Sequence, residues 1–149
     1  MIIARKDDWK TEEMPLVVSE LQYERQFSSE EFELIKHGIV PQQMEDKWFI
    51  FFENNLLKFF RSWTGHQIYQ LQFEKMETGY HVVKTIVNRD SSQYKEADDA
   101  YDIEMLNFLM DRLLLNKNVK FPLKATTPKD QQMIFQHGVI GYGRSNQET

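Results

Sequence analysis

Cysteine is absent from the 149 residues of this chain. That absence excludes disulfides, thiolate catalysis and cysteine-ligated metals, and it leaves the redox compartment open. Positive charge is also scarce, with 18 Lys and Arg against 23 Asp and Glu and a formal net charge of -5. Nucleic acid and anionic lipid both require a cationic surface, so neither a nucleic-acid partner nor a membrane partner is expected. Long apolar runs are missing as well. The N-terminal MIIARKDDWKTEEMP carries charge from Arg5 onward, and no later segment approaches a membrane span, which makes the cytoplasm the expected location. No nucleotide loop, metal-ligand cluster or nucleophile constellation is present: Gly138, Gly141 and Gly143 precede Arg144 without a following helix. The reading therefore implies no cofactor and no metal.

What the chain does have is aromatic mass. Its 11 Phe, 6 Tyr and 3 Trp, with 41% hydrophobic and 28% charged residues, suggest a sheet-based core in one domain of ordinary size. Residues 1–15 read as an N-terminal arm that frays or lies along the domain through Trp9, residues 16–140 as the domain, and residues 141–149 as a flexible tail. Leu16 to Phe27 reads as extended chain. Ser28 with Glu31 forms a capping box and Phe27 with Phe32 a hydrophobic staple, so a helix is predicted from about Ser29. Gly38 ends it, with Ile39 expected against Leu34 in a Schellman contact and Pro41 blocking resumption. Thr127, Pro128 and Gly138 repeat that grammar near the C-terminus. His37 and His137, each at the end of its predicted helix, suit a dipole role better than metal ligation.

Between these helices the segment from Glu45 to Met76, EDKWFIFFENNLLKFFRSWTGHQIYQLQFEKM, reads as three antiparallel strands with turns at Asn54-Asn55 and Thr64-Gly65. Tyr80 to Val87 adds a fourth. Near Asp98 or Asp99 a helix of roughly seventeen residues begins, whose wide apolar stripe through Ile103, Leu106, Leu109, Met110 and Leu113 implies burial across the sheet. The expected fold is thus α+β: a four-stranded antiparallel meander packed by one long helix, with short flanking helices.

Two-residue turns fix a register by counting. Trp48 then opposes Arg61, Ile50 opposes Phe59 and Phe52 opposes Leu57 on one face, while Phe49, Phe51, Phe60, Tyr69, Leu71 and Phe73 share the other, with Phe60 opposite Tyr69 and Phe73 opposite Val82. The second face is expected to hold the helix-covered core. At one end of the first, Trp48, Arg61, Ser62, Trp63, Thr64 and His66 gather as candidate ligand-binding residues. The guanidinium of Arg61 offers five fixed donors to a phosphate or carboxylate, and tryptophans stack on rings or cations. Arginine packed on tryptophan is also ordinary structural cement. The adjacent carboxylates Glu45-Asp46 and Asp98-Asp99 point apart or cap helices rather than forming an acid/base pair.

The blocks EDKWFIFFENN and FFRSWTGHQIY, within Glu45 to Tyr69, resemble a signature of small bacterial proteins with no established activity. The resemblance implies that Arg61, Ser62, Trp63, Thr64 and Gly65 belong together, and it transfers no catalytic role. Two functions are carried forward: non-catalytic recognition of a small anionic ligand or a protein partner, or an enzyme or accessory domain acting on a phosphorylated or nucleotide-like small molecule. The charge balance also generates a test. In a gel-shift assay at near-physiological salt, random duplex DNA should run unshifted, and salt-sensitive retention would reverse the exclusion.

Overall fold

The computed structural model describes residues 3–123. Its strands are β1 (Val18–Leu21), β2 (Gln26–Phe27), β3 (Trp48–Glu53), β4 (Leu56–Arg61), β5 (Gln67–Met76) and β6 (Gly79–Asn88), with helices α1 (Ser29–His37) and α2 (Asp99–Phe108). All six strands join one antiparallel sheet in the order β1-β6-β5-β4-β3, and β2 pairs with β6 beside β1. The expected four-stranded meander, β3 to β6, is therefore present and is extended at its β6 edge by two short strands from the segment before α1. The C-terminal helix expected from Thr127 to Gly138, His137 and the tail at 141–149 lie outside the described residues.

Local chemistry explains the starts and stops. Ser28 Oγ accepts from Glu31 N at 3.1 Å while Ser28 N donates to Glu31 Oε1 at 3.0 Å, which satisfies two orphan amides at the head of α1. That backbone bond, opposed by partial burial, holds the Glu31 carboxyl below its usual range. Phe27 and Phe32 are both buried and both pack on Phe73, at ring separations of 6.0 and 5.4 Å. Asn54 and Asn55 adopt φ of 55° and 64°, the left-handed pair that a two-residue hairpin requires, and the β3–β4 register follows as counted from Trp48↔Arg61 to Glu53↔Leu56.

The second turn differs from the expectation. Arg61 N donates to His66 O and Gly65 N to Arg61 O, so four residues, Ser62 to Gly65, bridge the strands instead of Thr64-Gly65 alone. A bulge then follows: Phe60 pairs with Gln67 but Phe59 with Tyr69, leaving Ile68 as the extra residue. Because side chains alternate with period two, this slip exchanges the faces of β5 relative to the count. Tyr69, Leu71 and Phe73 lie with Trp48, Ile50, Leu57 and Phe59, and that face packs against Tyr101, Met105, Leu106 and Leu109. Phe60 and Tyr69 are on opposite faces, and the helix-covered core is the Trp48 face, contrary to the sequence reading. The Phe73↔Val82 pair forms as expected.

Phe49, Phe51 and Phe60 instead form a second, smaller cluster with Ala4, Trp9 and Val40. The N-terminal arm covers this face. Ala4 N donates to His37 O at 2.7 Å, Trp9 Nε1 to Ser62 O at 2.7 Å, and Glu12 N to Gly65 O at 2.8 Å. The long helix also departs from a uniform rod, since α2 continues as a π-helical stretch from Leu109 to Leu114, closed by Leu115 N donating to Met110 O.

The end of α1 differs too. Gly38 has φ 62° and ψ -158°, and Ile39 leaves Leu34 exposed to form a two-way backbone bridge with Ile50, at 2.9 and 3.0 Å. The edge strand β3 offers open hydrogen-bonding groups, and Ile39 reaches them where a Schellman ending would have turned it back. A Cβ on Gly38 would stand 2.1 Å from Ile50 O. Gly38→Ala should therefore destabilise the protein by at least about 2 kcal/mol, from the positive φ alone and more from the clash, measured by urea unfolding. A midpoint unchanged from the parent would show that the α1–β3 junction yields freely.

Candidate functional site

The end of the sheet where β3 begins and β4 finishes brings Trp48 and Arg61 opposite each other. The guanidinium carbon of Arg61 lies 5.2 Å from the centroid of the Trp48 ring. Trp48 itself is buried, stacked with Tyr69 at 6.0 Å and set edge-on to Phe59 at 6.4 Å, and its Nε1 meets no acceptor among the described residues. It backs the Arg61 guanidinium from within the core rather than offering an exposed platform.

Trp63 behaves differently. Its ring is 57% exposed, its Nε1 donates to Met44 O at 2.8 Å, and the ammonium of Lys47 sits 3.3 Å from its centroid. Each tryptophan thus carries one cation, Arg61 on Trp48 and Lys47 on Trp63, in place of one arginine between two indoles. Both pairings are cation–π contacts, in the range of about 0.5 to 2 kcal/mol by exposure.

A cavity of about 350 Å³ opens here, lined by Lys47, Arg61, Trp63 and Thr64 from the sheet end and by Gln93, Tyr94 and Lys95 from the loop after β6. Three cations and no carboxylate line it among the described residues. Burial lowers the basicity of Arg61; burial and the nearby Arg61 charge both lower that of Lys47. Of the six candidates read from sequence, Arg61, Trp63 and Thr64 line this cavity, and Trp48 supports Arg61. The other two serve the framework. Ser62 is buried and its Oγ donates to Asp46 O at 2.7 Å, while His66 Nδ1 lies 2.7 Å from Glu12 Oε1 on the arm. Asp46 accepts from Gln42 N, and Asp98 caps α2 by accepting from Ala100 N and Tyr101 N, so neither adjacent carboxylate pair offers an acid/base couple.

Lys47, Gln93, Tyr94 and Lys95 escaped the sequence reading because three of them belong to a polar stretch more than twenty-five residues downstream, whose position no periodicity reveals. Buried polar groups place that loop. Asn88 Nδ2 donates to Gln67 O and Gln93 Oε1, each at 2.9 Å, and Asp90 N returns to Asn88 Oδ1 at 2.8 Å. Asp102 of α2, fully buried, accepts on Oδ1 from both Tyr69 and Tyr94 hydroxyls at 2.6 Å. Its Oδ2 lies 2.6 Å from Arg89 Nη2, which also meets Asp99 at 2.5 Å, and Arg89 Nη1 donates to Glu96 O. Burial works against the Arg89 charge, but its hydrogen bonds to Asp99 and Asp102 outweigh that and raise its pKa. Burial, joined by the Asp102 charge, raises the Tyr69 and Tyr94 phenols well above their usual range, so both stay protonated.

Comparison with protein-family models, with curated proteins and with solved structures returned no match. Among the described residues no three His, Asp or Glu side chains are grouped as a metal site, and no helix is long and apolar enough to cross a membrane.

The network predicts an asymmetry. Asp102→Ala leaves Arg89 and two phenols without their buried acceptor and should cost about 3 to 5 kcal/mol in denaturant unfolding. Asp99→Ala removes a solvent-facing carboxylate and should cost about 1 kcal/mol or less. Equal losses would show that Asp102 does not organise the loop.

Proposed function

We propose that this protein is a non-catalytic recognition domain for a small anionic ligand, bound in the cavity between the sheet end and the loop after β6. One observation carries the reading: in a chain of net charge -5, Lys47, Arg61 and Lys95 converge on one cavity that no described carboxylate lines. Cations gathered against their mutual repulsion, two of them with basicity lowered by burial, are stabilised by an anion between them. Arg61 supplies planar, paired N–H donors suited to phosphate or carboxylate, Lys47 and Lys95 supply point charges, and Thr64 and Gln93 add neutral hydrogen-bonding groups.

The alternative, an enzyme acting on a phosphorylated or nucleotide-like molecule, finds less support. Neither a carboxylate nor a histidine lines the cavity among the described residues, and the Tyr94 proton is committed to Asp102. A general base is what such chemistry would need.

Isothermal titration calorimetry with inorganic phosphate and pyrophosphate tests the reading. Arg61→Lys should weaken binding by about 1.5 to 3 kcal/mol, the worth of a hydrogen bond to a charged group, and Lys95→Gln, at an exposed position, by about 1 kcal/mol or less. The pH dependence has a definite sign. The Lys47 pKa lies below the ordinary lysine value, and only the ammonium attracts an anion, so affinity should hold through neutrality and decline as pH rises through that lowered pKa. No heat with either anion at millimolar concentration, or affinity indifferent to Arg61→Lys, would overturn the proposal.

A further inference from the structure

Beside the cationic cavity lies a second one of about 530 Å³, walled chiefly by Trp9, Pro41, Met44 and Trp63. Trp63 lines both. The walls of the second cavity are held in place by their polar edges: Trp9 Nε1 donates to Ser62 O at 2.7 Å, and Trp63 Nε1 to Met44 O at 2.8 Å. With their N–H groups spent on backbone carbonyls, both indoles present only apolar ring surface to anything entering. Met44 is 76% exposed and Trp63 57% exposed. Large apolar side chains left open, the two indoles among them pinned, and next to three cations do not suit a free phosphate, which would use only the charged half.

We infer that the two cavities form one composite site for an amphiphilic anion, a phosphate joined to an apolar body, with the phosphate at Lys47, Arg61 and Lys95 and the body against Trp9, Met44 and Trp63. The inference rests on the anion reading above and names the class of ligand. A cation cluster on one side of the Trp63 ring and an apolar crevice sharing that ring match such a molecule in charge and in polarity, and both cavities have the size of small-molecule sites. The net charge of -5 opposes an anionic bilayer as the source of the phosphate, so the occupant is a soluble phosphate monoester. The pinned indoles reduce the ordering cost of binding, which favours discrimination by shape.

Calorimetry on the full chain with hexyl phosphate, inorganic phosphate and hexanol separates the possibilities. Hexyl phosphate should bind at least about tenfold tighter than inorganic phosphate, since each buried methylene adds appreciably to affinity, and it should change the tryptophan fluorescence where hexanol does not. Met44→Gln alters an exposed side chain of the apolar crevice and should cut that advantage at least about threefold, leaving the affinity for inorganic phosphate and the thermal midpoint unchanged. Equal binding of hexyl phosphate and inorganic phosphate would overturn the composite site and leave the anion reading standing. Hexanol binding as tightly as hexyl phosphate would also overturn it, by showing that the crevice acts alone. Failure of both phosphates to bind would overturn both readings.

Discussion

A single buried carboxylate, Asp102, ties together the parts from which the candidate site is built. An ionised group removed from water must recover its lost solvation within the protein, and Asp102 does so through the hydroxyls of Tyr69 and Tyr94 and the guanidinium of Arg89. Those three partners come from β5, from the loop and from the residue that follows β6, while Asp102 itself sits on α2. Satisfying one charge therefore sets the docking of the helix on the sheet and the path of the chain between them. Tyr94 and Lys95 reach the cavity because the loop that bears them has been folded back to this carboxylate.

The sheet is covered on both faces by unlike means. On the Trp48 face α2 and its π-helical continuation supply a broad apolar stripe, which suits the large side chains presented by the adjacent strands β3, β4 and β5. On the Phe49 face, among the described residues, the cover is the N-terminal arm together with Val40, the arm being held by backbone hydrogen bonds and by Trp9. The arm has a second consequence. By pinning Trp9 to the Ser62 carbonyl and Glu12 to Gly65 and His66, it stiffens the Ser62–His66 connection from behind, so the elements that close the smaller core also steady the walls of both cavities.

Charge follows the same division of labour. In a chain of net charge -5, Lys47, Arg61 and Lys95 are gathered at one end of the sheet. Two of these cations rest on tryptophan rings, whose quadrupole stabilises positive charge without neutralising it. Aromatic support holds Arg61 and Lys47 in place beside the cavity.

Much of the fold was legible in the residues themselves. The Ser28–Glu31 capping box, the Asn54-Asn55 turn, the β3–β4 register and the span of the long helix all depend on interactions within a few residues, and local stereochemistry decides such features. The pairing of Trp48 with Arg61 was legible for the same reason. The faces of β5 were not, because the bulge at Ile68 leaves no local mark and a one-residue slip reverses every side chain beyond it. Nor could the chain by itself show that Ile39 would bridge Ile50, that the arm would cover Phe49 and Phe60, or that Lys95 would join Arg61. Those outcomes belong to the tertiary structure, since each depends on which buried polar or apolar group remains to be satisfied once distant segments have met.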